Sequence, residues 1–198
     1  MSFAKQFAFP SGLPGHVAGW LMALANPPLA GWALDLLALR TDAVVVEVGC
    51  GPGRGLAQAV RRVPEGRVIG VDPSDVMRAQ ACAHLRRQGL ADVVELKDAP
   101  ANAIPLATGS VDGVFAVNSS PFWRDLPEGL REMQRILRPG SPLALVVQPR
   151  WVRGDEAARQ LGQLHAAAVR GAGFQHVVSD FRPRAPVGAF AVVARAPV

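Results

Sequence analysis

The chain has 198 residues, 49% hydrophobic and 19% charged, which is enough to bury the core of one ordinary domain and too apolar for a disordered tail. Its formal net charge of +5 rests almost wholly on arginine, because Lys5 and Lys97 are the only lysines. The arginines are scattered without a long run, so the charge reads as a solvated surface and no nucleic-acid partner is expected.

Near the start, "VAGWLMALA" (Val17–Ala25) imitates a signal peptide, but Lys5 is the only preceding basic residue, and Pro10, Gly12, Pro14 and Gly15 interrupt the approach. A membrane span continuing to Leu39 would contain Asn26-Pro27-Pro28 and Asp35, which hydrocarbon tolerates poorly. The segment therefore predicts two packed helices broken at Asn26-Pro27-Pro28, with no membrane partner. Cys50 and Cys82 form no CxxC and imply no disulfide framework, in keeping with a reducing, cytoplasmic setting.

Leu29, Trp32, Leu36 and Leu39 have helical spacing and lead into a turn at Arg40-Thr41-Asp42. Val44 to Val48 predicts a buried strand, Gly53 to Arg62 a helix, and Arg67 to Val71 a second strand. Ser74 is a credible N-cap for a helix running to Gly89. Val93 to Leu96 and Val111 to Val117 predict the third and fourth strands. Asp125 with Glu128 has the pattern of a capping box ahead of the apolar stripe Leu126, Leu130, Met133 and Leu137. Leu143 to Val147 is the fifth strand, Asp155 to Arg170 an alanine-rich helix, and Phe174 to Phe181 with Val187 to Ala194 a closing strand pair. Strand and helix alternate, so the expected fold is α/β: a Rossmann-like, doubly wound, seven-stranded, mostly parallel sheet with an antiparallel terminal strand and short N-terminal helices. One domain over 1–198 is expected, with 1–40 as a helical cover and 41–198 as the binding core.

In such a sheet ligands bind beyond the carboxyl ends of the strands, where the strand order reverses. The loop "VVVEVGCGPGRG" (Val44–Gly55) stands there. The dinucleotide fingerprint GxGxxG fails in every register, since Arg54, Leu56 and Gln58 occupy the third glycine's place, and no lysine is near enough for a P-loop. Glu47 opens the motif and Asp72 closes the second strand, where a carboxylate can accept both ribose hydroxyls. An adenosine ligand without a pyrophosphate fits that set best.

With "GRVIGVDPSDVM", "LKDAPANAIPLATGSVDGVFAVN" and "LREMQRILRPGSPLALVVQP" following in order, the sequence resembles the class I S-adenosylmethionine-dependent methyltransferases, in particular their small "type 11" branch. The resemblance covers nearly the whole chain. It implies S-adenosyl-L-methionine as cofactor and no metal. Glu47 is implied near the methionine end, with Gly49, Cys50 and Gly51 under the ligand. Asp72 is implied on the ribose, Pro73 and Met77 beside the adenine, Asp98 at the adenine amino group and Ala99 at the ring through its backbone. Asn118 is implied at the amino acid part or facing the methyl group. Asp112 matches a position with a structural role.

Methyl transfer needs the acceptor in line with the methyl group, and positioning alone can supply much of the acceleration, so a side-chain base is not obligatory. None is assigned: His84, His165 and His176 read as surface or packed residues, and His16 is better placed, because the N-terminal segment covers the acceptor in relatives. Nucleic-acid amino methyltransferases carry two prolines after the residue corresponding to Asn118; here Ser119 and Ser120 stand there. Phe122 and Trp123 either line an acceptor pocket or pack the next helix. Phe3, Phe7, Phe9, Trp20 and Met22 would make an apolar cover. The expected function is methyl transfer to a small apolar or aromatic acceptor at an N, O or C atom, by a monomer or homodimer. The alternatives are a same-fold S-adenosylmethionine-binding protein with another activity, such as a cyclisation or sensing, and an RNA or protein methyltransferase.

Overall fold

In the computed structural model of the protein, residues 27–198 are described. Helix α1 (Pro27–Leu37) opens on its two prolines, so Asn26-Pro27-Pro28 marks a helix start. Proline suits that position, because the first helical amides have no carbonyl partner to lose. The helix stops two residues short of Leu39, at Ala38, whose φ of +49° leaves the helical region. The expected helix before the prolines lies outside the described residues.

The elements then follow as β1 (Val44–Val48), α2 (Arg54–Arg62), β2 (Arg67–Val71), α3 (Asp75–Arg87), β3 (Val94–Lys97) and β4 (Gly113–Val117). A short 3-10 turn (Ser120–Phe122) precedes α4 (Leu126–Ile136), β5 (Pro142–Val147), α5 (Asp155–Gly171), β6 (Gln175–Arg182) and β7 (Ala189–Arg195). Local chemistry sets several of these boundaries. The Ser74 hydroxyl accepts from the Met77 amide, and the Asp125 carboxylate accepts from the Glu128 amide at 2.8 Å. The capping box at Asp125 shows one arm, while the Glu128 carboxylate accepts from Asn102. β4 is shorter than the apolar run Val111–Val117, because Val111 makes only an isolated bridge to Leu137.

The seven strands form one sheet in the order β3-β2-β1-β4-β5-β7-β6. β3 through β5 are parallel, and β7 runs antiparallel between β5 and β6. A short connection can join β6 and β7 only as antiparallel neighbours. Alternate residues face opposite layers, as the pleat requires. Val46, Val48, Val114 and Ala116 pack with Leu130, Met133 and Ile136 of α4 and Ala166 and Val169 of α5. Val45, Phe115, Val117 and Val146 pack with Leu29, Trp32, Ala33 and Leu37 of α1, Leu56 of α2 and Leu85 of α3. The described part of the expected cover, α1, is thus a core helix; residues 1–26 lie outside the described residues. Among the described residues no helix is long and apolar enough to cross a membrane.

β1 lies at the reversal point, with β2 on one side and β4 on the other. The crevice at their carboxyl ends lies between the glycine loop and the turn after β4.

Candidate functional site

The glycine loop is held from within the protein. The amides of Gly49 and Cys50 both donate to the Val71 carbonyl, at 2.7 and 3.1 Å. The Gly51 amide donates to Asp72 Oδ2 at 2.9 Å, and the Gly53 amide to the Cys50 carbonyl. Pro52 has none to offer. Residues 49–53 therefore present no free row of N–H groups, which is what a phosphate cradle consists of. Gly49 has φ +72°, and a Cβ there would come within 2.3 Å of Ser119 Cβ, so the loop and the turn after β4 are in direct contact.

Two acids lie under this loop. Asp72 is 7% exposed; its Oδ1 accepts from the Ser74 amide and its Oδ2 from Gly51, so each oxygen keeps a lone pair for a ligand. Burial raises its carboxyl above the usual range, opposed by those two amides and by Arg78. Glu47 is 4% exposed and sits beneath the first turn of α2, where a Cβ on Gly55 would come within 2.2 Å of Oε1. Burial first and Asp72 second push the Glu47 carboxyl well up, against the Leu56 amide that bonds to it. Its Oε2 is buried with no partner. A second anion would be repelled here, and a cation would restore the ionised forms.

Both carboxyls are raised in the fold, so the stability they permit is fully present below the unfolded value, roughly pH 4, and is lost as pH rises through the folded values. The urea midpoint of the ligand-free protein is expected to fall between about pH 4.5 and neutrality relative to the Glu47→Gln variant. The difference in stability should grow by up to ~1.4 kcal/mol per pH unit. Parallel midpoints for the two proteins over that range would show that Glu47 ionises in the fold without penalty.

These groups line a cavity of about 480 Å³, within the usual range for small-molecule sites. Of the residues expected from sequence, Glu47, Gly49, Cys50, Gly51, Asp72, Pro73, Met77, Ala99 and Asn118 line it. Asp98 does not: its side chain is 69% exposed and pairs with Arg78 at 2.8 Å. Arg78, which the sequence reading did not single out, also donates to the Asp72 carbonyl at 2.8 Å and so ties the ends of β2 and β3 together. Its only local signal is its place one helical turn after the Ser74 cap. Cys50 is a core thiol, pushed up by burial and then by Asp72 and Glu47. Asn118 has φ +54°; its amide donates to Val146, and its Oδ1 accepts from the Gln148 amide at 2.7 Å. It thereby joins the ends of β4 and β5.

Asp112 stands at the other end of the sheet, where Oδ2 accepts from the Val44 amide and Oδ1 pairs with Arg138. That is the structural role expected for it. Of the candidate bases, His84, His165 and His176 do not line this cavity, His165 being buried on the inner face of α5, and His16 lies outside the described residues, as do Phe3, Phe7, Phe9, Trp20 and Met22. The turn after β4 is locked down by Ser119, whose hydroxyl donates to the Val48 carbonyl at 2.6 Å. Phe122 and Trp123 line the cavity, and Trp123 also packs on Gly129 of α4.

The described Methyltransferase domain family matches residues 45–140. The uncharacterized methyltransferase YdaC of Bacillus subtilis is 28% identical over 182 residues, covering 91% of this chain and 98% of that protein. The U6 snRNA (guanine-N(2))-methyltransferase THUMPD2 of Bos taurus is 33% identical over 137 residues, covering 64% of this chain and only 27% of its own length. The crystal structure of a SAM-dependent methyltransferase from Aquifex aeolicus shares the fold, with a TM-score of 0.70 and 23% identity over 84% of this chain and 89% of that one. The reversal-point cavity, its acidic floor, the strand order and these likenesses agree, and the chain belongs to the class I S-adenosylmethionine-dependent methyltransferases.

Proposed function

We propose that the cavity at the carboxyl ends of β1, β2 and β4 holds S-adenosylmethionine and that the enzyme methylates a small apolar or aromatic molecule. The observation that carries the reading is the pairing of two buried carboxylates with a glycine loop whose amides at 49, 50, 51 and 53 are already bonded. That set suits a cationic nucleoside and rejects a pyrophosphate.

When bound, S-adenosylmethionine supplies an electrophilic methyl group on a sulfonium. Asp72 accepts the ribose hydroxyls with the lone pairs left by Gly51 and Ser74. Pro73 and Met77 flank the adenine, and the Ala99 backbone meets the ring. Asp98 would have to release Arg78 to reach the adenine amino group. Glu47, with its unpartnered Oε2, faces the methionine end, where positive charge is most welcome. Gly49, Cys50 and Gly51 pass beneath the ligand, and Asn118 stands at the methyl side. Phe122 and Trp123 exclude water from that side and orient an apolar acceptor, and positioning of this kind can contribute ~7–11 kcal/mol at best. No histidine of the described residues lines the cavity, and no side-chain base is assigned.

Calorimetry is expected to give binding of S-adenosylhomocysteine and none of NAD. Turnover against a panel of small aromatic amines and hydroxyls should yield S-adenosylhomocysteine and a methylated product. Tight NAD binding with no heat from S-adenosylhomocysteine would overturn the cofactor reading. Transfer to RNA with a steep salt dependence, and to none of the small molecules, would overturn the acceptor reading alone.

A further inference from the structure

A second cavity, of about 450 Å³, opens on the far side of the Phe122–Trp123 wall. Ser119 lines the first cavity and Ser120 the second, while Phe122 and Trp123 line both. Trp151 forms the outer wall; it is 56% exposed and meets Phe122 edge-on, with ring centroids 6.3 Å apart. The two rings meet edge to face at 60° and together present an apolar surface to this cavity.

Two of the residues lining this cavity, His165 and Ser120, each carry a polar atom with no partner within the protein. His165 is 6% exposed, and its Nδ1 lies 2.9 Å from the Leu161 carbonyl, so Nδ1 carries the proton and Nε2 is left with a lone pair. Burial also lowers the ring's affinity for a second proton. His165 Nε2 and Ser120 Oγ are both buried and both lack a partner. Buried polar atoms are nearly always bonded, and two orphans on one cavity wall indicate a ligand with matching polar groups. Phe190 fixes the imidazole from behind, at 5.0 Å between centroids.

We propose that this second cavity is a binding site for a planar apolar molecule bearing a hydroxyl or amino hydrogen. The ring system lies against the apolar surface of Trp151, Phe122 and Trp123, the hydrogen is donated to His165 Nε2, and Ser120 Oγ completes the polar contact. The cationic donor ligand is not favoured here, because a neutral histidine and a hydroxyl offer it no charge. A ligand in this site is one side chain away from the methyl-donor cavity, so the site deepens the acceptor reading above without depending on turnover.

The test uses the full chain, 1-naphthol as probe and 1-methoxynaphthalene as its counterpart lacking the donor hydrogen. Calorimetry is expected to show 1-naphthol binding, with Trp151→Ala weakening both compounds. His165→Phe, which keeps an aromatic ring against Phe190, should weaken 1-naphthol about tenfold or more and leave 1-methoxynaphthalene within about threefold. Ser120→Ala supplies the same comparison should the histidine variant fail to fold. S-adenosylhomocysteine titrated into the same samples should bind all three variants as it binds the wild type. Absence of 1-naphthol binding to the wild-type chain overturns the proposal, as does equal affinity for the two compounds or equal affinity across the variants. A protein that binds 1-naphthol in this pattern but does not bind S-adenosylhomocysteine would retain this site and lose the donor reading instead.

Discussion

Replacing Asp72 by alanine is expected to reduce affinity for S-adenosylhomocysteine by at least ~100-fold, whereas Asp112→Ala should change it by less than about threefold. The magnitude follows from two hydrogen bonds to a charged acceptor, each worth ~1.5–3 kcal/mol, so their joint loss is at least ~3 kcal/mol. Asp72 also holds the Gly51 amide at 2.9 Å and the Ser74 amide at 2.9 Å, so its removal loosens the glycine loop and the turn that caps α3. Asn at the same place keeps the size but can accept through only one atom, and it should recover only part of the affinity. Asp112 makes contacts of the same kind at the opposite end of the strands, to Val44 and Arg138. Its loss should appear in urea denaturation, at ~1–3 kcal/mol for an orphaned amide, and not in calorimetry. Equal binding losses for the two variants would put the ribose elsewhere than at Asp72.

The second large effect is expected from Gly49→Ala. The backbone at Gly49 has φ +72°, a conformation that costs a residue with a Cβ roughly 1–2 kcal/mol. The new methyl would also lie 2.3 Å from Ser119 Cβ and 2.7 Å from Ser119 Oγ, and crowding of that kind typically costs ~1–3 kcal/mol. Together these predict a loss of ~2–5 kcal/mol, a large share of a domain's stability. A second substitution, Ser119→Gly, removes both of the atoms that the methyl would meet. The double-mutant cycle should then show a favourable coupling of at least ~1 kcal/mol, even though Ser119→Gly alone forfeits the bond to the Val48 carbonyl. Strict additivity would mean that the loop shifts away freely, and that the contact between the glycine loop and the turn after β4 does not matter for the fold.

The sequence by itself determined the order and kind of the elements, because their signals are local. β1, β2 and β5 are near-continuous apolar runs, as strands covered on both faces must be, and Ser74 and Asp125 cap their helices as their positions suggest. The parallel sheet followed from the alternation, and the acids at Glu47 and Asp72 were legible because strand ends in such a sheet converge on one crevice. Only the tertiary structure decided what reaches across. Ser119 bonds Val48 over 71 residues, and Arg78 of α3 pairs with the Asp98 carboxylate beyond the end of β3. Ser120 and His165, with α4 and β5 between them in the chain, come to line one pocket. Periodicity and capping act within a turn or two of the chain, whereas such contacts depend on how whole elements are stacked, and a side chain's partner across the fold leaves no trace in the residues beside it.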